Sequence, residues 1–260
     1  IIVIDKFSQK YPYLQNMYYV TMTLYDKNLP VAVAFPPQEV KNGLSEVVSA
    51  HRLSQFHIAE SEKYAHVTSF FNGGRQEPWP AEQREIVASP SSYEKSYENV
   101  PEMSADKIGK KIVERIGDGI NFILVNFANP DMVGHTGDKG ACVIAIEAVD
   151  RVVGEVFEAA MQKGACLVLT ADHGNIEQKL DPGTGGIDKE HSLNPVPLIV
   201  AGRGLELKAI KIKGYFELPP VTPEGVLSDV APTVLDLLEL PKPSEMTAIS
   251  LMPVLLKQIE

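Results

Sequence analysis

The chain has 260 residues, with 34 acidic against 24 basic side chains and a net charge of −10. That balance argues against general nucleic-acid binding and against a polybasic membrane anchor, since both need a basic footprint. No apolar run reaches the roughly 18 residues of a membrane span, and 44% hydrophobic with 22% charged residues is ordinary globular usage with room for a sizeable core.

The chain opens Ile1-Ile2-Val3-Ile4-Asp5 without a methionine, as though entered partway, and no signal peptide is legible. Tyr18–Tyr25 alternates and is rich in aromatic and β-branched residues. Val31–Phe35 is a short apolar run, and Asp26-Lys27-Asn28-Leu29-Pro30 lies between them like a turn. This pattern predicts a hairpin or two neighbouring strands, ended by Pro36-Pro37. A domain boundary is expected near residues 36–42. Beyond it, helical spacing predicts helices over 43–58, 104–116, 139–163, 228–239 and 247–258. His51 and His57 fall in the first of these and read as ordinary helix residues. In 139–163 the apolar stripe Cys142, Ile146, Val149, Val153, Val156 and Ala160 ends at Gly164, a helix stop. Phe122–Phe127, Cys166–Thr170 and Pro197–Val200 are short apolar runs that read as buried strands. Strands separated by helices predict an α/β fold, a mostly parallel sheet with helices on both faces. Cys142 and Cys166, the two cysteines, read as small core residues in a reducing cytoplasm. The polar, glycine-rich segment 174–194 is long enough to be a functional loop.

Three clusters could carry chemistry. The strand at 122–127 runs into Asp131 and His135. The strand at 166–170 runs into Asp172, His173 and Gly174. His191 closes the glycine-rich loop. Ligands of open α/β sheets bind beyond the carboxyl ends of the strands, where the first two clusters lie. Asp131 and His135 could share one turn of helix, but Pro130 and Gly134 favour a tight loop. A mixed Asp/His set with no thiolate suits manganese, cobalt, iron or zinc in an open site better than a closed structural zinc. The plain alternative for Asp172 is a strand-end turn accepting backbone N–H groups. For Lys63 it is a solvated charge, and for Asn72-Gly73-Gly74-Arg75 a turn. Pro78-Trp79-Pro80 reads as a rigid packed loop.

The strings AESEKYAHVT (59–68), FFNGGRQEPWP (70–80), PEMSA (101–105), NFANPDMVGHTG (126–137), LTADHGN (169–175), EHSLNPVPLIV (190–200) and SDVAPTVLDLLELPKPSEMTAISL (228–251) resemble the cofactor-independent phosphoglycerate mutases of the alkaline phosphatase superfamily. The resemblance implies interconversion of 3-phosphoglycerate and 2-phosphoglycerate through a phosphoserine, with two divalent ions. Manganese is the first choice, and magnesium, cobalt or zinc are alternatives. It implies Asp131, His135 and His191 as ligands of one metal, Asp172 and His173 as ligands of the other, and Lys63 as a contact to the transferred phosphoryl group. A cytoplasmic monomer is expected, with phosphoglycerate as partner and neither nucleic acid nor membrane.

The family's opening strand with its aspartate, the nucleophilic serine and the glycerate-gripping arginines have no counterpart here. On this reading residues 1–40 are the remnant of an inserted transferase domain, and residues 41–260 are a phosphatase-like module lacking its first strand. An unpaired sheet edge, tighter retention of one metal than of two, and no mutase activity from this polypeptide alone are then expected. Other readings are another superfamily phosphomutase or phosphatase, or a non-catalytic truncated domain that binds metal or a partner.

Overall fold

The computed structural model describes residues 18–36, 40–90, 96–205 and 223–257. Contacts divide the chain into two units, Ile1–Glu39 and Val40–Glu260. In the first, β1 (Val20–Thr21) pairs with β2 (Ala32–Val33). The two neighbouring strands are present, but they run parallel, so the segment between them is a crossing link and not a hairpin turn.

The second unit runs α1 (Leu44–Ala50), β3 (Gln55–Glu60), α2 (Tyr64–Val67), β4 (Glu82–Val87), α3 (Ala105–Gly117), β5 (Phe122–Asn126), α4 (Asn129–Gly134), α5 (Lys139–Lys163), β6 (Leu167–Thr170), β7 (Leu198–Ala201), α6 (Val230–Leu237) and α7 (Met252–Lys257). β3 is central in a parallel sheet of order β4-β3-β5, and β6 and β7 form an antiparallel pair. Alternation along β3 sends Phe56 and Ile58 to one face, where they pack with Ile108 and Ile112 of α3 and Val156 of α5. The other face packs against α1 and α6 through Leu44, Val47, Val48 and Leu235. Helices therefore cover both faces of the sheet. Ile123 and Val125 of β5 and Leu167 of β6 lie against the same cluster, so both strands sit under one helical layer. Among the described residues, no ladder joins β5 to β6.

Several expectations are corrected. The 43–58 helix stops at Ala50, and residues 55–60 form the central strand with His57 fully buried in it. The sequence Gln55-Phe56-His57-Ile58-Ala59-Glu60 alternates, and both faces are buried because its polar members find partners inside: Gln55 Nε2 donates to the Ser45 carbonyl at 2.8 Å, and His57 Nδ1 to that of Val67 at 2.7 Å. His51 is the C-terminal cap of α1. β4 carries too few apolar residues to announce itself as a strand. Asp131 and His135 lie on a helix end, not in a tight loop, because Pro130 enters the first turn, where its missing N–H costs nothing. In α5 the buried stripe is Ala141, Cys142, Ala145, Ala148, Val152, Val156 and Ala160, whereas Ile146 is exposed. The small residues Ala141, Cys142 and Ala145 pack closely on Val133 of α4, and periodicity scored on large side chains misses them. Cys166 is exposed and not a core residue; both cysteines are free thiols. The last helix begins only at Met252. No helix among the described residues is long and apolar enough to cross a membrane.

Candidate metal centre

Four chain segments meet beyond the carboxyl ends of the strands. β5 leads into α4, which carries Asp131 in its first turn and His135 at its C-terminal cap. The i, i+4 spacing puts both on one side of the helix. Val133 on the other side packs with Ala141, Cys142 and Ala145 of α5, which holds α4 in place. Asp138 caps α5, its Oδ1 accepting from the Ala141 N–H at 2.8 Å. β6 leads into Asp172 and His173, and the bridge between Gly174 and Ser192 lays His191 beside them. β3 leads through the turn Ser61–Lys63 to Lys63.

The donor atoms converge. Asp131 Oδ1 lies 3.0 Å from His191 Nε2 and 3.1 Å from His135 Nε2, and the two imidazole nitrogens stand 3.1 Å apart. The rings of His173 and His191 stack at 3.6 Å, and Asp131, His173 and His191 each bring a ligand atom within 4.8 Å of the others. Residues sixty apart in sequence thus share one centre, with His173 against its side. Asp172 stands further out, 59% exposed, its Oδ2 3.6 Å from His173 Nε2. The Lys63 ammonium donates to Asp131 Oδ2 and is nearly buried.

The local hydrogen bonds orient the donors. His135 Nδ1 donates to the Lys189 carbonyl at 2.6 Å, which turns Nε2 toward the cluster. Burial pushes the Asp131 carboxyl up, but hydrogen bonds from Lys63 and Asn175 and the Lys63 and His135 charges outweigh it, so it falls to about 2. One carboxylate oxygen and two imidazole nitrogens at about 3 Å match the spacing of donors around an ion with bonds of about 2.0–2.2 Å. The residues present fit a divalent transition metal.

The sequence does not reveal how the centre is braced. Glu177 accepts from the Asn175 N–H at 2.8 Å, from Asn194 Nδ2 at 2.9 Å and from the Ser192 hydroxyl, tying the His173 turn to the His191 loop. A Cβ on Gly174 would collide with Ser192 Oγ and Glu177, and one on Gly134 would stand 2.5 Å from Asn175 Oδ1. Both motif glycines are therefore needed for close approach. Burial lowers the pKa of His66, and the Lys63 charge lowers it further, against the opposing pull of Asp172 and Asp131; this places His66 in the field of the centre. Asn175 at least stood inside a motif string, whereas Glu177 had no such signal. Asn72 is buried, its Nδ2 donating to Glu82 at 2.9 Å, whereas Gly74 and Arg75 are exposed, with the Arg75 guanidinium over the Trp79 ring.

A model of the metalloenzyme superfamily matches residues 12–242. The chain is 47% identical over 235 residues to the 2,3-bisphosphoglycerate-independent phosphoglycerate mutase of Nostoc punctiforme, covering 90% of this chain and 43% of that protein. The enzyme of the same name from Chloroflexus aurantiacus is 46% identical, over 92% of this chain and 42% of its own length. Among solved structures, a phosphoglycerate mutase of Leishmania mexicana, obtained at low cobalt concentration, superposes with a TM-score of 0.72 at 28% identity, over 89% of this chain and 43% of that one. The chain thus spans less than half the length of the relatives it matches.

Proposed function

The chain belongs to the metalloenzyme superfamily, and from that premise we propose that residues 41–260 are the metal-holding module of a phosphoglycerate mutase. The parent reaction would interconvert 3-phosphoglycerate and 2-phosphoglycerate, and residues 1–40 would be the tail of the domain that holds the glycerate. The observation that carries this reading is the meeting of Asp131, His135 and His191 around one point, with the Lys63 ammonium on the same carboxylate.

On this reading Asp131, His135 and His191 hold one divalent ion, manganese first, and His173 with Asp172 contributes to a second. Bound there, the metal would supply positive charge to a phosphoryl group and to the oxygen that attacks it. The protein's own part is orientation and charge. The Lys189 carbonyl holds the His135 Nδ1–H, so that Nε2 is the nitrogen turned toward the ion. Lys63 lowers the Asp131 pKa and brings an ammonium to the centre, where it could contact a phosphoryl group. The serine that would take the phosphoryl group has no matched position in residues 1–260, so these residues alone do not complete the transfer. A cytoplasmic setting accords with two free thiols.

The test has two arms. Titration of the metal-free chain with manganese should give one tight site per chain and a weaker second. A coupled assay with 3-phosphoglycerate should show no turnover. Two equally tight ions, or robust turnover by the pure chain, would refute the corresponding part of the reading.

A further inference from the structure

Lys179 is 7% exposed, and its ammonium donates to the Gly134 carbonyl at 3.1 Å and to Asn175 Oδ1. Asn175, 4% exposed, donates from Nδ2 to Asp131 Oδ1 at 2.8 Å. An ammonium has donors and no acceptor, and a carboxylate has acceptors and no donor. The amide between them therefore has one allowed orientation. Rotating it by half a turn would set NH2 against NH3+ and oxygen against carboxylate. Both residues are buried, so each mismatch would carry the full cost of an unsatisfied buried group.

Resting on the metal-centre reading above, we infer that Lys179 is a positioning residue: it locks the Asn175 amide so that Nδ2 always faces Asp131, and thereby fixes which lone pair of Asp131 Oδ1 points at His135 and His191. With Lys63 on Oδ2, both rotational choices of the carboxylate are removed. Asp131 then presents one oxygen to the cation in a single direction. Gly134 takes part twice, as an acceptor for Lys179 and as the gap that admits Asn175.

The sign of the effect separates the lock from bare charge. Removing a cation near a metal site should tighten metal binding by Coulomb's law. Removing a lock should weaken it, and partners outside the ligand shell typically account for about 10- to 100-fold in metal affinity. In the full chain, Lys179→Met should raise the manganese dissociation constant by about 10-fold or more and shift the visible absorption of the cobalt-loaded protein, as Asp131 changes its mode of approach. Lys179→Arg, which keeps the donors, should recover most of the affinity. Unchanged or tighter manganese binding in Lys179→Met overturns the lock. Should the variant not fold, the wild-type chain decides: a scalar coupling across the hydrogen bond from the Asn175 side-chain nitrogen to the Asp131 carboxyl carbon should be seen by NMR in metal-free protein, and its absence overturns the inference. A wild-type chain that takes up no manganese refutes the metal reading alone and leaves the lock to be judged by that coupling.

Discussion

His57 and His135 each stand close to a carboxylate in the same unit, yet they occupy unlike sites. His57 lies in the middle of the central strand with no exposed surface, 3.6 Å from Glu82 Oε1, its ring edge-on to Phe71 and Phe122. Val67 and Gln55 face its two nitrogens. Glu82 is likewise taken up by Arg84, Asn72 and the Trp79 N–H. Burial lowers the His57 pKa against the opposing pull of Glu82. His135, 39% exposed at the strand crest, has one nitrogen tied to a carbonyl and the other open toward Asp131 and His191. A histidine near a carboxylate is therefore not a signature by itself. A ring nitrogen turned toward other donors, convergent neighbours and access from solvent distinguish a metal-binding geometry from a packed core pair.

The sharpest break of this comparison is by substitution on either side. His191→Ala should weaken manganese binding by about 1000-fold, on the order of 4 kcal/mol, and leave the folding of the metal-free chain unchanged. Asp172→Asn should cost the tight ion far less; equal losses in a titration would show that Asp172 belongs to the same ion. His57→Leu should do the reverse. It leaves the buried Val67 carbonyl without its donor and should lower stability by about 2 kcal/mol in a denaturant titration, with metal affinity per folded chain preserved. A His57→Leu protein as stable as wild type would mean the buried pair has no structural role.

The smallest effect concerns the Asp131 carboxyl, held at about 2. Its folded pKa is depressed, so its stabilising contribution is fully present above the ordinary value of 3.8 and is lost as pH falls through about 2. In metal-free Lys63→Met the remaining burial should move the carboxyl resonance to a higher titration midpoint, and acid destabilisation should begin at a higher pH. An unmoved midpoint would mean Lys63 does not set the charge of the centre.

The legible parts of the fold are those that the sequence announces locally, as in the apolar run Phe122–Phe127 and the end of α5, which Gly164 marks. The central strand was hidden because its Gln55, His57 and Glu60 are polar and buried, which only their partners make tolerable. β4 was hidden by its Glu82 and Arg84, whose ion pair also forms only in the folded chain.

By itself the sequence determined which residue types could hold a metal and, through its motif strings, which family they resemble, because side-chain chemistry and local spacing are properties of the chain alone. Only the tertiary structure decided that Asp131, His135 and His191 meet, that Lys63 shares their carboxylate, and that Lys179 and Glu177 brace them. These are contacts across up to 68 residues, as between Lys63 and Asp131, and no local pattern encodes them. They exist because parallel strands deliver their carboxyl ends to one crest, where donor-only and acceptor-only groups leave each other a single way to fit.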